Sequence, residues 1–157
     1  MKDNNYNERV DRAEALFKEG YNCAQSVVLP FADLHGLERD MALKVAASFG
    51  GGIGRMRETC GAACGMFILA GLETGPTTTD NPNEKAANYK LVQDLAAKFK
   101  VENGSLNCAE LLGLDAEENN KSGKTDLHKR ACNKRPCSMM VRSAAELWAN
   151  YLVSRDK

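Results

Sequence analysis

The sequence predicts an all-α fold, a compact single-domain bundle over residues 1–157 with about six to seven helices. Three observations point there. Apolar residues recur three and four positions apart through most of the chain. Side-chain caps stand where those periodic stretches begin, as Asn5 with Glu8, Asn22 with Gln25 and Asn107 with Glu110. No stretch alternates apolar and polar residues in the way a half-buried strand does.

The elements follow in order. Behind Asn5, residues Val10, Ala13 and Phe17 share one face, and Gly20 ends the helix. Asn22 opens a second helix carrying Val27, Val28, Phe31 and Leu34, which Gly36 closes. Pro30 lies inside it and predicts a kink or a break, because it removes a donor and crowds the preceding turn. Asp40 is read as the cap of a short apolar helix through Val45 and Phe49. Gly50-Gly51-Gly52-Ile53-Gly54 reads as loop, and Thr59 as the cap of a helix from Cys60 to about Leu72. Asn81, Pro82 and Glu84 open the longest helix, whose expected core face is Tyr89, Val92, Ala96 and Phe99 and which Gly104 stops. Asn107 caps a short helix that ends near Gly113. Residues 115–136 are polar and charged and read as a long surface loop. The last helix places Val141, Ala144, Leu147, Trp148 and Tyr151 on one face.

Composition excludes some functions. A chain of 157 residues buries roughly 70% of its unfolded surface, enough for a core without staples. Lys+Arg and Asp+Glu are both 21, so the basic surface that nucleic-acid binding needs is missing. The polar start Met1–Glu8 reads as no signal peptide. The longest clean apolar run, Met66–Ala70, is far too short to span a membrane. A cytoplasmic location is therefore expected, where six cysteines read as catalytic, metal-bound or buried thiols rather than structural disulfides.

The cysteines carry the chemistry. Cys23, Cys60 and Cys108 each follow a good N-cap residue, and Cys137 follows Pro136 at the opening of the last helix. Unpaired N–H groups and the partial positive charge of a helix start favour thiolate over thiol. The effect is worth about 0.3–1 kcal/mol when exposed and up to about 2 when partly buried. One pKa unit is about 1.4 kcal/mol, so a helix start alone lowers a thiol by well under two units. Arg55 and Arg57, just upstream of Cys60, are the candidates for added positive potential.

The glycines before Cys60 lack the strand and the spacing of a nucleotide cradle, so they read instead as backbone that turns sharply and approaches something closely. Gly61 and Gly65 make a small-residue face for close helix packing. Cys60 and Cys64 share a helix face, with Cβ atoms roughly 5–6 Å apart at that spacing. A disulfide wants about 3.5–4.5 Å, so Cys64 reads as a second ligand, a reserve thiol or a packed bystander. The pairs Cys60–Cys64 and Cys132–Cys137 formally suit zinc. His35 and His128 are lone histidines and read as surface residues.

Gly20-Tyr21-Asn22-Cys23-Ala24-Gln25-Ser26, the run Gly50 to Gly65 with Cys60-Gly61-Ala62-Ala63-Cys64-Gly65, Cys108-Ala109-Glu110-Leu111-Leu112-Gly113 and Cys137 before the closing helix together resemble the C-GCAxxG-C-C family. Its members are described as redox-active proteins with four characteristic cysteines. The resemblance runs from about Ala13 to Tyr151 and implies that those cysteines are Cys23, Cys60, Cys108 and Cys137. The family's fourth cysteine directly precedes a helix, which points to Cys137 over Cys132. Cys64 and Cys132 fall outside the family pattern, which demotes the paired-spacing zinc site.

Three readings stand at this point. In the first, the four cysteines converge and work by thiol–disulfide exchange or electron transfer. Cys60 is then the reactive thiolate, Gly61, Gly65, Arg55 and Arg57 shape its surroundings, and a redox partner protein or small thiol is the counterpart. In the second, the same four hold an iron–sulfur cluster or zinc. In the third, the chain is a non-enzymatic helical interaction module whose cysteines are core residues.

Overall fold

The computed structural model describes residues 5–114 and 137–157. The expected loop at 115–136, and with it Cys132 and His128, lies outside the described residues. The architecture is all-α. Helix α1 is Tyr6–Glu19, α2 is Cys23–Val28, α3 is Arg39–Ala46, α4 is the single turn Gly50–Ile53, and α5 is Gly61–Thr74. After these come α6 (Pro82–Asn103), α7 (Cys108–Leu112) and α8 (Cys137–Asp156). Two 3₁₀ segments, Leu29–His35 and Ala47–Phe49, continue α2 and α3. No strand occurs among the described residues; Thr59 and Asn107 form an isolated antiparallel bridge. None of the described helices is long and apolar enough to cross a membrane.

The caps read from the sequence are present. The Glu8 N–H donates to Asn5 Oδ1, and Gly20 ends α1 at φ 113°. Asn22 and Gln25 complete a reciprocal capping box on α2. Asn107 Oδ1 accepts the Glu110 N–H at 3.0 Å on α7. Pro30 does end α2, and the chain tightens into the 3₁₀ segment where the missing N–H would have sat.

Some details differ. Cys60 itself is the N-cap of α5, one position before the expected first turn. Helix α3 starts at Arg39, behind Glu38, not behind Asp40. In α6 the buried residues are Leu95 and Phe99, with Leu91 and Val92 partly buried beside them, whereas Tyr89 is exposed. The row Leu91, Leu95, Phe99 follows the i, i+4 spacing, and Tyr89 lies off it, beneath Lys85 Nζ at 5.6 Å.

One hydrophobic core joins all the longer helices. Trp148, Phe31, Phe99, Leu16, Met66 and Leu69 are fully buried in it. Helix α8 packs chiefly on α1 and also on α2, α5 and α6. The α1–α8 pair is antiparallel: Tyr6 Oη donates to Asp156 at one end, and Arg142 bridges Asp11 and Glu14 at the other. Ser143 Oγ donates to Glu102 and accepts from Asn103, fixing α8 to the end of α6.

The α2–α5 contact is as close as backbone permits. A Cβ on Gly65 would lie 2.9 Å from both the Ala24 carbonyl oxygen and Val27 Cβ. Gly71, on the exposed side of the same helix, has nothing within 4 Å of the corresponding position. Gly65→Ala is therefore expected to lower unfolding stability by about 1–3 kcal/mol through overpacking. Gly71→Ala should leave it unchanged or raise it by about 0.5–1 kcal/mol. Urea unfolding of both variants reads the contrast; equal midpoints would contradict the close α2–α5 contact.

Candidate functional site

The site is assembled from four helix starts. Cys23 and Cys108 are the first residues of α2 and α7, Cys60 is the cap of α5, and Cys137 opens α8. Far apart in sequence, they line one cavity of about 10 Å³, together with Gly51, Gly52, Gly61, Leu111, Leu112 and Met140. That volume is close to what one water molecule needs.

Two local devices bring them together. The first is the glycine turn. The expected loop at Gly50–Gly54 is a left-handed turn: φ is 68° at Gly51, 70° at Gly52, 65° at Ile53, 58° at Gly54 and 64° at Arg55. Glycine adopts this freely, but Ile53, Arg55 and Arg57 (φ 61°) carry strain of about 1–2 kcal/mol each. Backbone hydrogen bonds hold the turn, with the Arg57 N–H donating to Gly51 O at 3.2 Å and the Glu58 N–H to Gly52 O at 2.9 Å. The turn presses on the thiol-bearing helix starts. A Cβ on Gly52 would lie 2.5 Å from Cys108 Cβ and 2.8 Å from the Arg57 Cα. A Cβ on Gly61 would lie 2.7 Å from Phe49 O and 3.2 Å from Cys23 Cβ.

The second device is a backbone clamp. The Cys60 N–H donates to Leu106 O at 2.7 Å and the Cys108 N–H to Glu58 O at 2.6 Å, flanking the Thr59–Asn107 bridge. Side chains alternate along extended backbone, so Cys60 and Cys108, each one step beyond the bridge, fall on the same face.

The electrostatics run against a simple helix-start thiolate. Burial pushes the Cys60 thiol up to about 11, although the N–H groups of Ala63 and Ala62 favour its ionised form. Burial also raises Cys23 far above the ordinary 9.0, with the neighbouring Cys60 and Cys108 adding to the shift. Cys108 is raised too, by burial first, with the Arg57 guanidinium opposing it. The expectation of a depressed Cys60 is thus overturned. A helix start supplies well under two units, and full desolvation of a thiolate exceeds that.

The two arginines part company. Arg55 is exposed on the left-handed turn. Arg57 is buried, 1% exposed, and its Nη1 donates to Cys108 Sγ at 3.9 Å. It therefore faces Cys108, where the sequence had suggested Cys60. Gly61 lines the cavity; Gly65 packs on α2 instead. Cys64 is buried outside the cavity lining, and its Sγ lies 3.8 Å from the Thr59 carbonyl oxygen. Cys23, Cys60, Cys64 and Cys108 are free, whereas Cys137 is disulfide-bonded. No group of three or more His, Cys, Asp or Glu side chains among the described residues is arranged to hold a metal ion.

His35 differs from expectation. Its side chain is 9% exposed, and its Nδ1 lies 3.6 Å from Glu73 Oε2. Desolvation lowers its pKa and Glu73 partly restores it. Residue type and spacing gave no sign of this pairing, which depends on the 3₁₀ segment after Pro30.

The raised thiols have a pH consequence. Their folded values lie above the ordinary 9.0, so the folded state keeps protons that the unfolded chain releases. Stability should be fully present below about pH 8.5 and fall as pH rises toward 11. Each such thiol contributes a slope of up to about 1.4 kcal/mol per pH unit. Urea unfolding of reduced protein between pH 7 and 10 measures this. Cys60→Ser should flatten part of the fall, and an unchanged slope would refute the buried-thiol assignment.

A family model described as "Putative redox-active protein (C_GCAxxG_C_C)" matches residues 21–151. No curated protein and no solved structure matches the chain.

Proposed function

Since the chain belongs to the C_GCAxxG_C_C family of redox-active proteins, we propose that it works by thiol–disulfide exchange among the cysteines of the cavity. The observation that carries this is the convergence of Cys23, Cys60, Cys108 and Cys137 on one cavity of about 10 Å³. The four residues the family pattern singles out meet there, and Cys64, which it omits, does not line it.

The arrangement suits exchange chemistry. A disulfide moves when a thiolate attacks one of its sulfurs and a second thiol resolves the product. The cavity wall combines three free thiols with one disulfide-bonded sulfur. The lining is otherwise apolar or glycine. Burial keeps the thiols protonated at neutral pH and limits oxidation by bulky reagents. The counterpart is a small disulfide or thiol, or a partner protein able to open the site. The place of action is the cytoplasm, where a reducing pool regenerates the dithiol.

The test is turnover. Protein reduced and freed of reductant is mixed with 2-hydroxyethyl disulfide, and protein disulfide and released thiol are counted. Two released thiols per protein disulfide are expected. Serine at Cys23, Cys60, Cys108 or Cys137 should lower the rate at least about tenfold, while Cys64→Ser should keep most of it. Equal retention in all five variants would reject exchange at this cavity. Stoichiometric iron with sulfide, or zinc, in protein prepared without oxygen and lost in the same four variants would instead make it a metal centre.

A further inference from the structure

We propose that Cys108, rather than Cys60, is the thiol that attacks first, and that Arg57 is the positioning residue that holds it for attack. This rests on the exchange reading above and names the roles within it.

The three free cavity thiols do not differ in access. Cys23, Cys60 and Cys108 are 6%, 5% and 7% exposed. What distinguishes them is charge. Arg57 is itself 1% exposed, and its Nη1 stands 3.9 Å from Cys108 Sγ. Arg57 also favours the Cys23 thiolate, but weakly, behind burial and the repulsion of Cys60 and Cys108; its direct contact is with Cys108. An opposite charge within about 4–6 Å favours the ionised form by about 1–3 pKa units, more than a helix start supplies. Cys60 has only backbone N–H groups to favour its thiolate.

The backbone makes this contact deliberate. Arg57 sits at φ 61°, in a region that costs a non-glycine residue about 1–2 kcal/mol. Its own N–H and C=O are both engaged, with Gly51 O and the Ala109 N–H, so the residue is fixed between the glycine turn and α7. Gly52, with no room for a Cβ against either Arg57 Cα or Cys108 Cβ, permits that approach. Strain held in place by surrounding hydrogen bonds is characteristic of functional positions.

The chemistry then balances. Cys108 gives its proton to solvent, and its thiolate attacks a small disulfide R–S–S–R. A Cys108–S–S–R bond forms, and one R–S⁻ leaves and takes up a proton. Cys60, on the same face of the Thr59–Asn107 bridge, attacks Cys108 Sγ and releases the second R–S⁻, which takes the Cys60 proton. The products are a Cys60–Cys108 disulfide and two R–SH. Two electrons pass from the protein dithiol to the small disulfide.

The test is site-resolved alkylation of the folded, reduced full chain with iodoacetamide from pH 6 to 10, read by peptide mass spectrometry. Cys108 is expected to react first in the unsubstituted protein, with its half-maximal pH below those of Cys60 and Cys23. Arg57→Gln should move the Cys108 profile upward by about 1–3 pH units, so that its rate at pH 8 falls about tenfold or more. Arg57→Lys should restore part of that shift. In Cys60→Ser, brief exposure to 2-hydroxyethyl disulfide should leave the mixed disulfide on Cys108. Cys60 or Cys23 reacting first in the unsubstituted protein would overturn the assignment, whether or not the Arg57 variants fold. A mixed disulfide on Cys23 in Cys60→Ser would do the same, as would an unmoved Cys108 profile in folded Arg57→Gln. Alkylation needs no turnover, so this assignment and the exchange reading fail separately: wrong order with intact turnover removes only the former, and right order without turnover removes only the latter.

Discussion

The site depends on how closely the backbone of the glycine turn approaches two helix starts. Gly52 lies where any side chain would meet Cys108 Cβ at 2.5 Å, and Gly61 where one would meet the Phe49 carbonyl at 2.7 Å. Both contacts involve groups that cannot swing away cheaply. The left-handed run from Gly51 to Arg55 reverses the chain within one turn and delivers residue 57 to the interior. Two of its positions, Ile53 and Arg55, carry ordinary side chains at positive φ, as does Arg57 just beyond it, so the turn is not merely permitted by glycine. Hydrogen bonds to Ser48, Gly50, Gly51 and Gly52 carbonyls hold it closed. Loss of that closeness would separate Arg57 from Cys108 and open the cavity between α2, α5 and α7.

Magnitudes decide the electrostatics. Four helix starts aimed at one point suggest acidic thiols, but each start contributes a fraction of a unit to well under two. Complete removal from water acts in the opposite direction and is larger, which is why Cys60 stands near 11 despite its favourable N–H groups. Neighbouring sulfurs add to the cost, because ionising one raises the next, as at Cys23. Such a cluster favours protonated thiols, and a specific nearby charge, as Arg57 beside Cys108, opposes that. A guanidinium does so better than an ammonium, since it stays charged in a buried setting and aims its donors in a fixed plane.

The fold was largely legible in the sequence because its signals are local. Asn22 with Gln25 and Asn107 with Glu110 name their helix starts within four residues, and Pro30 names a break. The cysteine set was legible through the family pattern together with those caps. What was not legible is what only packing decides. Nothing in residue type announces that Ile53, Arg55 and Arg57 take positive φ, so Arg55 and Arg57 looked equivalent although one is exposed and the other buried. Tyr89 looked like core because it is aromatic and periodic, but the stripe that α6 buries runs through Leu95 and Phe99. His35 looked exposed because its burial against Glu73 depends on a 3₁₀ segment whose course the sequence leaves open.

The placement of the cysteines follows from the same geometry. Cys64 sits four residues after Cys60 on one helix, yet its sulfur lies against the Thr59 carbonyl and outside the cavity lining. Sequence neighbours on a helix are held about one turn apart, too far for direct bonding without unwinding. Residues from different elements have no such limit. A backbone bridge between chain segments nearly fifty residues apart puts Cys60 and Cys108 on one face, flanking it at its two ends, and Cys23 approaches because Gly61 leaves room. Exchange chemistry needs sulfurs that can come into bonding distance and part again. For the exchange proposed above, placing each at the start of a separate helix removes the fixed i, i+4 spacing that keeps two cysteines of one helix apart.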